Sequence, residues 1–412
     1  LMEGVNSFMH VAGGPTNTFI GADAGNFSLT GGGNTAVGSL AMQSNSSGNS
    51  NTAMGLAALR FNTFGAGNVA IGGNALNQNT AGGNNTAVGS EAMFGNTLGF
   101  ANTAIGTAAL RDNTTGGNNV AIGNIALRSN TTGADNVAIG REALFSNTAG
   151  FANTASGGYS LASNTTGASN TAIGFGALGA NTTGEYNVAV GRGALGSNTT
   201  AGSNTAVGGV ALSANTTGSR NTAIGLEALN SNSTGSGNTA TGAGALAENT
   251  TGTDNTASGD SALSANSTGS NNTAFGKQAL SGNTIGTANT ATGVQALRTN
   301  STGIDNVANG YFALFSSTTG SSNTAVGRNA AYSNTIGDDN TAVGRDALYN
   351  GTGSSNTAFG RNAAYGSTSG INNTAVGRDA LYNTSTGSSN IAIGRDAGFN
   401  LPTGSHNIPL RN

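Results

Sequence analysis

No cysteine, no tryptophan and only 3 prolines occur in the 412 residues, and charged side chains make up 8% of the chain. Without thiols there is no cysteine nucleophile and no Cys-based metal site, and such a chain is compatible with an oxidising exterior. Scarce aromatics and charges leave no material for a conventional globular core with an aromatic centre. A formal net charge of -3 gives no basic face for nucleic acid. No apolar run approaches the roughly 18 residues of a membrane helix and no amphipathic helix is visible, so no membrane insertion is expected. The two histidines, His10 and His406, lie near opposite ends, and carboxylates such as Glu91, Glu142 and Glu227 are scattered singly. With no paired acids, no ligand spacing for a metal and no long loop to wall a pocket, the inventory points away from an enzyme, a metal site or any cofactor.

What is abundant is glycine, 69 residues, and it is periodic. The pentad Asn221-Thr222-Ala223-Ile224-Gly225 is followed by Leu226-Glu227-Ala228-Leu229 and by Asn232-Ser233-Thr234-Gly235, and Asn238 begins the same phrase again. The motif glycine recurs every 17 residues from Gly21 to Gly344, then after 16 at Gly360, then at Gly377 and Gly394, giving 23 copies. A fixed period of this length predicts a solenoid, in which one repeat is one coil and buries its inner face only by stacking on its neighbours. Within a coil, β-branched residues alternate across the strand alanine, which is a strand pattern, whereas frequent Gly and the Asn-Thr-Thr-Gly tract mark turns.

The expectation is therefore an all-β parallel β-solenoid of about 23 coils, with two short strands per coil and strands stacked about 4.8 Å apart into a rod of roughly 110 Å. Residues 1–20 read as a degenerate capping coil, with Asn6-Ser7-Phe8-Met9-His10 imitating the motif and Phe19 in an alanine column. Residues 21–400 read as the repeat, and 401–412 as a degenerate last coil in which Pro409 removes a backbone donor at the exposed end and discourages further strand pairing there. A first residue of leucine rather than methionine suggests a processed or truncated start, such as a removed secretion signal.

The asparagine that opens each pentad, as at Asn170, Asn187, Asn204, Asn221 and Asn238, reads as a ladder of side-chain amides. Alanine and leucine columns that barely vary belong inside. The Thr/Val and Val/Ile columns, which tolerate substitution, belong outside, and an outward Val/Ile stripe calls for a partner chain, with a homotrimer as the expected assembly. Sequons recur at Asn113, Asn130, Asn164, Asn181, Asn215, Asn232, Asn249, Asn266 and Asn300, a recurrence that the turn alone explains.

The unit N-T-A-[VI]-G-x-x-A-L-x-x-N-T-T-G, as at Asn170 to Gly184, resembles repeats of tail-fibre-type proteins of phages and environmental bacteria. Its Asn-Val-Ala-Ile-Gly form, at Asn68 to Gly72 and Asn136 to Gly140, also resembles the shorter head repeat of YadA-like trimeric autotransporter adhesins. The resemblance spans nearly the whole chain. It implies a left-handed parallel β-roll, homotrimeric assembly, an extracellular or virion-surface or cell-surface location, and an attachment role.

One surface stands apart. The residue after the motif glycine becomes Arg328, Arg345, Arg361, Arg378 and Arg395, next to Asn329, Asp346, Asn362, Asp379 and Asp396, while an aromatic column runs through Phe315, Tyr332, Tyr349, Tyr365, Tyr382 and Phe399. Aromatic faces beside planar guanidinium donors make this the candidate binding surface for a cell-surface glycan or a solid surface. The bland reading is that the same residues stiffen the last coils or pack on a neighbouring chain. The expected function is a rigid extracellular fibre or adhesin segment; an end-to-end polymerising filament subunit and an ice- or crystal-surface binder are the alternatives.

Overall fold

A computed structural model describes residues 9–10 and 16–411. The chain is all-β, without helix among the described residues, and forms a parallel β-solenoid in two compact units, Leu1–Asn204 and Thr205–Asn412. The N-terminal unit carries strands β1 (Met9–His10) and β2 (Thr18–Ile20) through β12 (Val188–Val190), and the C-terminal unit β13 (Thr205–Val207) through β24 (Ile391–Ile393). From β2 onward each coil contributes one strand of three residues. Pairing is like on like: Thr222, Ala223 and Ile224 sit over Thr239, Ala240 and Thr241. The register survives the shortened coil, where Thr341, Ala342 and Val343 still meet Thr357, Ala358 and Phe359. Among the described residues only β1 runs antiparallel, Met9 opposite Ile20 and His10 opposite Phe19.

The expected second strand of each coil is instead a pair of turns. In the coil of Gly225, Glu227 and Leu229 take φ of 59° and 51°, values a strand cannot contain. Ala228 N–H donates to Gly225 C=O at 3.4 Å and Asn232 N–H to Leu229 C=O at 3.2 Å, closing two successive turns. Asn230 N–H also stays within the coil, on Glu227 C=O at 3.3 Å, but the other donors leave it: Glu227 N–H reaches back to Gly209 C=O, while those of Leu229 and Ser231 reach forward to Ala245 and Ala247. Backbone satisfaction therefore depends on neighbours even where no strand exists. A left-handed Leu costs about 1–2 kcal/mol. Burying its side chain returns about 1.5–3 kcal/mol, so the leucine column can hold this conformation coil after coil.

Burial settles which face is inside. Ala223, Ala228 and Leu229 are fully buried, whereas Ile224 is 42% exposed, so the alanine, leucine and asparagine columns form the core and Val/Ile points outward. The interior is narrow, and the departures in the two end coils are matched in pairs. Phe19, fully buried in the strand alanine column, lies where a side chain on Gly25 of the leucine column would clash with its ring. Pro409, in the same alanine column, faces Gly398 of the leucine column in the same way. Asn6, Ser7 and Phe8 lie outside the described residues, as do the side chains of Met9 and His10.

Pro409 does not blunt the last strand edge as expected. Its carbonyl accepts from Ile393 N–H at 3.2 Å, so the polar side of that residue faces β24, and the missing donor is lost to β24 rather than to solvent.

The asparagine columns are two. In the first, the side chains do not simply bond amide to amide: Asn187 N–H donates to Asn170 Oδ1 and Asn238 N–H to Asn221 Oδ1, both at 3.0 Å. The Nδ2 groups of Asn170, Asn221 and Asn238 cross the coil to Gly184, Gly235 and Gly252 at 2.8 Å. Asn187 does the same to Ala201 at 2.9 Å, and Asn204 N–H donates to Asn187 Oδ1 at 3.0 Å. The first column also bonds amide to amide as expected, Asn187 Nδ2 donating to Asn170 Oδ1 at 3.1 Å and Asn255 Nδ2 to Asn238 Oδ1 at 3.1 Å, and a second amide ladder lies in the Asn-Thr-Thr-Gly tract, which the sequence reading treated only as a turn. There Asn164 Nδ2 donates to Asn147 Oδ1 and Asn249 Nδ2 to Asn232 Oδ1, each at 2.8 Å.

The sequon asparagines belong to this second column, and Asn113, Asn130, Asn164, Asn181, Asn215, Asn232, Asn249, Asn266 and Asn300 are all 0% exposed. A folded chain exposed to an N-glycosylating extract is expected to keep its bare mass of 39.8 kDa by intact mass spectrometry.

Candidate functional site

The surface columns take on a distinct composition in the last coils of the C-terminal unit, from Tyr311 to Phe399. The column two residues past the motif glycine needs φ > 0 and is filled there by Asn329, Asp346, Asn362, Asp379 and Asp396, with φ between 54° and 59°. Asn and Asp tolerate this conformation better than other side chains that carry a Cβ. Once placed, they bond along the stack: Asn329 Nδ2 donates to Asp346 Oδ1 at 2.9 Å and Asn362 Nδ2 to Asp379 Oδ1 at 2.8 Å. Arg345 and Arg378 each place Nε 3.2 Å from Oδ2 of the adjacent Asp346 and Asp379, and Arg395 lies 3.4 Å from Asp396. The acids sit low and the arginines stand out, with side chains 20% and 19% exposed for Asp346 and Asp379 against 50% and 43% for Arg345 and Arg378. Arg328 and Arg361 are exposed and, among the described residues, make no ion pair; Arg328 lies 6.0 Å from the Tyr311 ring centre.

The aromatic column is a continuous stack. Ring centres from Phe315 through Tyr332, Tyr349, Tyr365 and Tyr382 to Phe399 are 5.0–5.2 Å apart, with interplanar angles of 3–11°. Below it, the Arg298 guanidinium lies 5.6 Å from the Phe315 centre as a cationic cap. Each tyrosine has a neighbour on both faces, so the expected open platforms for sugar rings do not exist within the stack. Only ring edges and hydroxyls can meet a ligand.

The stack starts where the second asparagine ladder stops. Asn283 and Asn300 are the last consecutive pair, joined at 2.8 Å. The next coil has Ser317, too short to reach, and both Ser317 Oγ and Asn300 Oδ1 are buried without a partner. Ser367 and Thr384 repeat the fault further on, and Gly351, against which Leu348 packs, takes the same place in the shortened coil. Aromatic stacking thus replaces amide bonding as the side-chain device along this leg, a substitution that supports a stiffening role. Sequence reasoning missed this second amide ladder, although its signal, an asparagine at constant spacing in most copies, was present. It also missed the column of Phe94, Arg111, Arg128 and Phe145 in the N-terminal unit, where guanidinium groups lie 5.7 and 5.8 Å from the Phe94 and Phe145 ring centres.

Burial raises the Tyr349 phenol above its ordinary value, and the neighbouring Tyr332 and Tyr365 phenols and the Asp346 carboxylate raise it further. The folded state therefore holds this proton more tightly than the unfolded chain. Its contribution to stability is complete below the ordinary phenol value of about 10 and falls as pH rises through that value towards the raised one. Thermal melts are expected to drop above about pH 10, and Tyr349→Phe to flatten that drop.

No family model and no curated protein matches this chain.

Proposed function

We propose that the chain is a structural segment of an extracellular fibre or adhesin, assembled as a homotrimer on a virion or cell surface, and that it is not an enzyme. The observation that carries this reading is the bonding pattern: in each unit, strand donors, alternate turn donors and side-chain ladders run to the neighbouring coil. A chain bonded in this way resists extension and shear along the stacking direction and has no need of a pocket. The repeat motif's resemblance to tail-fibre-type and YadA-like sequences points the same way.

The outward stripe supports self-association. Ile71, Ile105, Ile139 and Ile173 in the N-terminal unit are 37–43% exposed, and Ile224, Phe275, Val326, Phe359 and Val376 in the C-terminal unit 37–53%. Exposed apolar columns of this regularity suit burial against other copies. Sedimentation is expected to give three times the chain mass, and electron microscopy discrete fibres. Ile224→Glu, on an exposed face, is expected to leave the circular dichroism spectrum intact while lowering the assembly mass. A monomeric wild-type chain would remove the trimer, and continuous end-to-end strands would favour the filament subunit.

One observation favours the surface binder as second reading. Thr205, Thr222, Thr239, Thr256, Thr273 and Thr290 form an unbroken outward threonine column. A thermal-hysteresis measurement separates it, since a fibre segment is expected to give none.

A further inference from the structure

We infer that the face carrying Arg328, Arg345, Arg361, Arg378 and Arg395 beside the stacked tyrosines binds a linear uronate polysaccharide laid along the stacking direction, one carboxylate per coil. This rests on the attachment reading above and names the chemistry of what is attached.

Spacing comes first. Five successive coils each present one arginine, and the adjoining rings show that coils here repeat every 5.0–5.2 Å. An extended polymer with one carboxylate per sugar offers anions at a similar interval. Duplex DNA carries phosphates about 3.4 Å apart along each strand, out of step with the coils.

Charge comes second. The acids of this face are spent inside it: Asp346 and Asp379 each accept from an asparagine amide on one oxygen and hold an arginine Nε on the other. Engaging Nε leaves the terminal nitrogens of Arg345 and Arg378 for a ligand, and these are the atoms that grip a carboxylate in parallel pairs. Arg328 and Arg361, beside asparagine rather than aspartate, keep an uncompensated charge.

The rings decide between classes of ligand. Single-stranded nucleic acid binds by stacking bases on open aromatic faces, and neutral sugars use the same faces. Here every tyrosine face is covered by its neighbour, so the column offers hydroxyls at its edge. A row of guanidinium and phenol donors with no open platform selects a ligand rich in both carboxylates and hydroxyls.

The test is calorimetric titration of the full chain with a defined oligogalacturonate, with dextran and oligothymidylate of matched length as controls. Binding is expected for the uronate alone and is expected to weaken with salt. Arg328→Gln with Arg361→Gln is expected to reduce affinity at least about tenfold. Tyr365→Phe, which keeps the ring stack, is expected to reduce it by about two- to fivefold. Equal binding of dextran, tighter binding of oligothymidylate, or unchanged affinity in the arginine variant each overturns the inference. So does an arginine variant whose sedimentation mass falls, because the face is then an interface between copies. Absence of uronate binding by a wild-type chain that still forms trimeric fibres defeats this inference and leaves the structural role standing.

Discussion

Gly225→Ala is expected to lower the stability of the C-terminal unit by about 4 kcal/mol or more, read as a shift of the urea midpoint and as lost exchange protection at Thr222–Ile224. Two effects add. Gly225 has φ of +136°, a region in which side chains other than glycine are strained, and a Cβ there would lie 2.5 Å from the carbonyl oxygen and 2.6 Å from the carbonyl carbon of Gly242. Backbone cannot rotate away as a side chain can. Relief requires the coil to part from the next one, which breaks the pairing of β14 (Thr222–Ile224) with β15 (Thr239–Thr241). In a stack whose stability is a sum over coils and their interfaces, losing one interface weakens both neighbours. Gly244→Asn is the control. Its φ is +62°, the nearest heavy atom to a new Cβ is Ser261 Oγ at 3.6 Å, and Asn74 and Asn329 already occupy that column. A change within about 1 kcal/mol is expected there. Equal losses at the two glycines would mean that close stacking at the motif glycine is not what the repeat protects.

Asn232→Leu is expected to cost about 2–4 kcal/mol, although the replacement is close in size and apolar. Asn232 Nδ2 donates to Asn215 Oδ1 and to Gly235 C=O, both at 2.9 Å, and its Oδ1 accepts from Asn249 Nδ2 at 2.8 Å. Leucine removes all three bonds in an interior without exposure; Gly235 C=O keeps Asn221 Nδ2 at 2.8 Å and Asn249 Nδ2 keeps Gly252 C=O at 3.0 Å, so the loss falls mainly on Asn215 Oδ1 and on the second donor hydrogen of Asn249. Each buried polar group left unpaired costs about 1–3 kcal/mol. The protein contains its own precedent at Ser317, where the ladder ends on unpaired atoms and the aromatic stack begins alongside. Moving the fault to Asn232, in a coil with Asn230 rather than an aromatic in the stacking column, provides no such replacement. A loss below about 1 kcal/mol would show that the amide ladder is decorative.

Much of this architecture was legible in the residues. The constant period set the register, because a slip by one residue would turn every side chain to the opposite face. Near-constancy of the columns of Ala223 and Leu229 across copies, against the variability of the column of Ile224, separated inside from outside. Three features were not legible. The leg from Leu226 to Asn232 has the composition of a strand or a turn, and only the demand that its donors reach both neighbours selects left-handed leucine. The second asparagine column looks like ordinary turn chemistry until coils are superposed. The tyrosines look like open platforms until the 5.0 Å spacing places each ring on the next.

The sequence by itself determined the period, the all-β class, the order of columns and which of them face inward. These follow from local pattern and from repetition, which applies the same constraint 23 times over. Tertiary structure alone decided which amides bond to which, where one ladder yields to another and which surfaces remain open on the arginine face. Those depend on contacts between residues one coil apart, where distances of a few tenths of an ångström separate a bonded amide from an orphaned one.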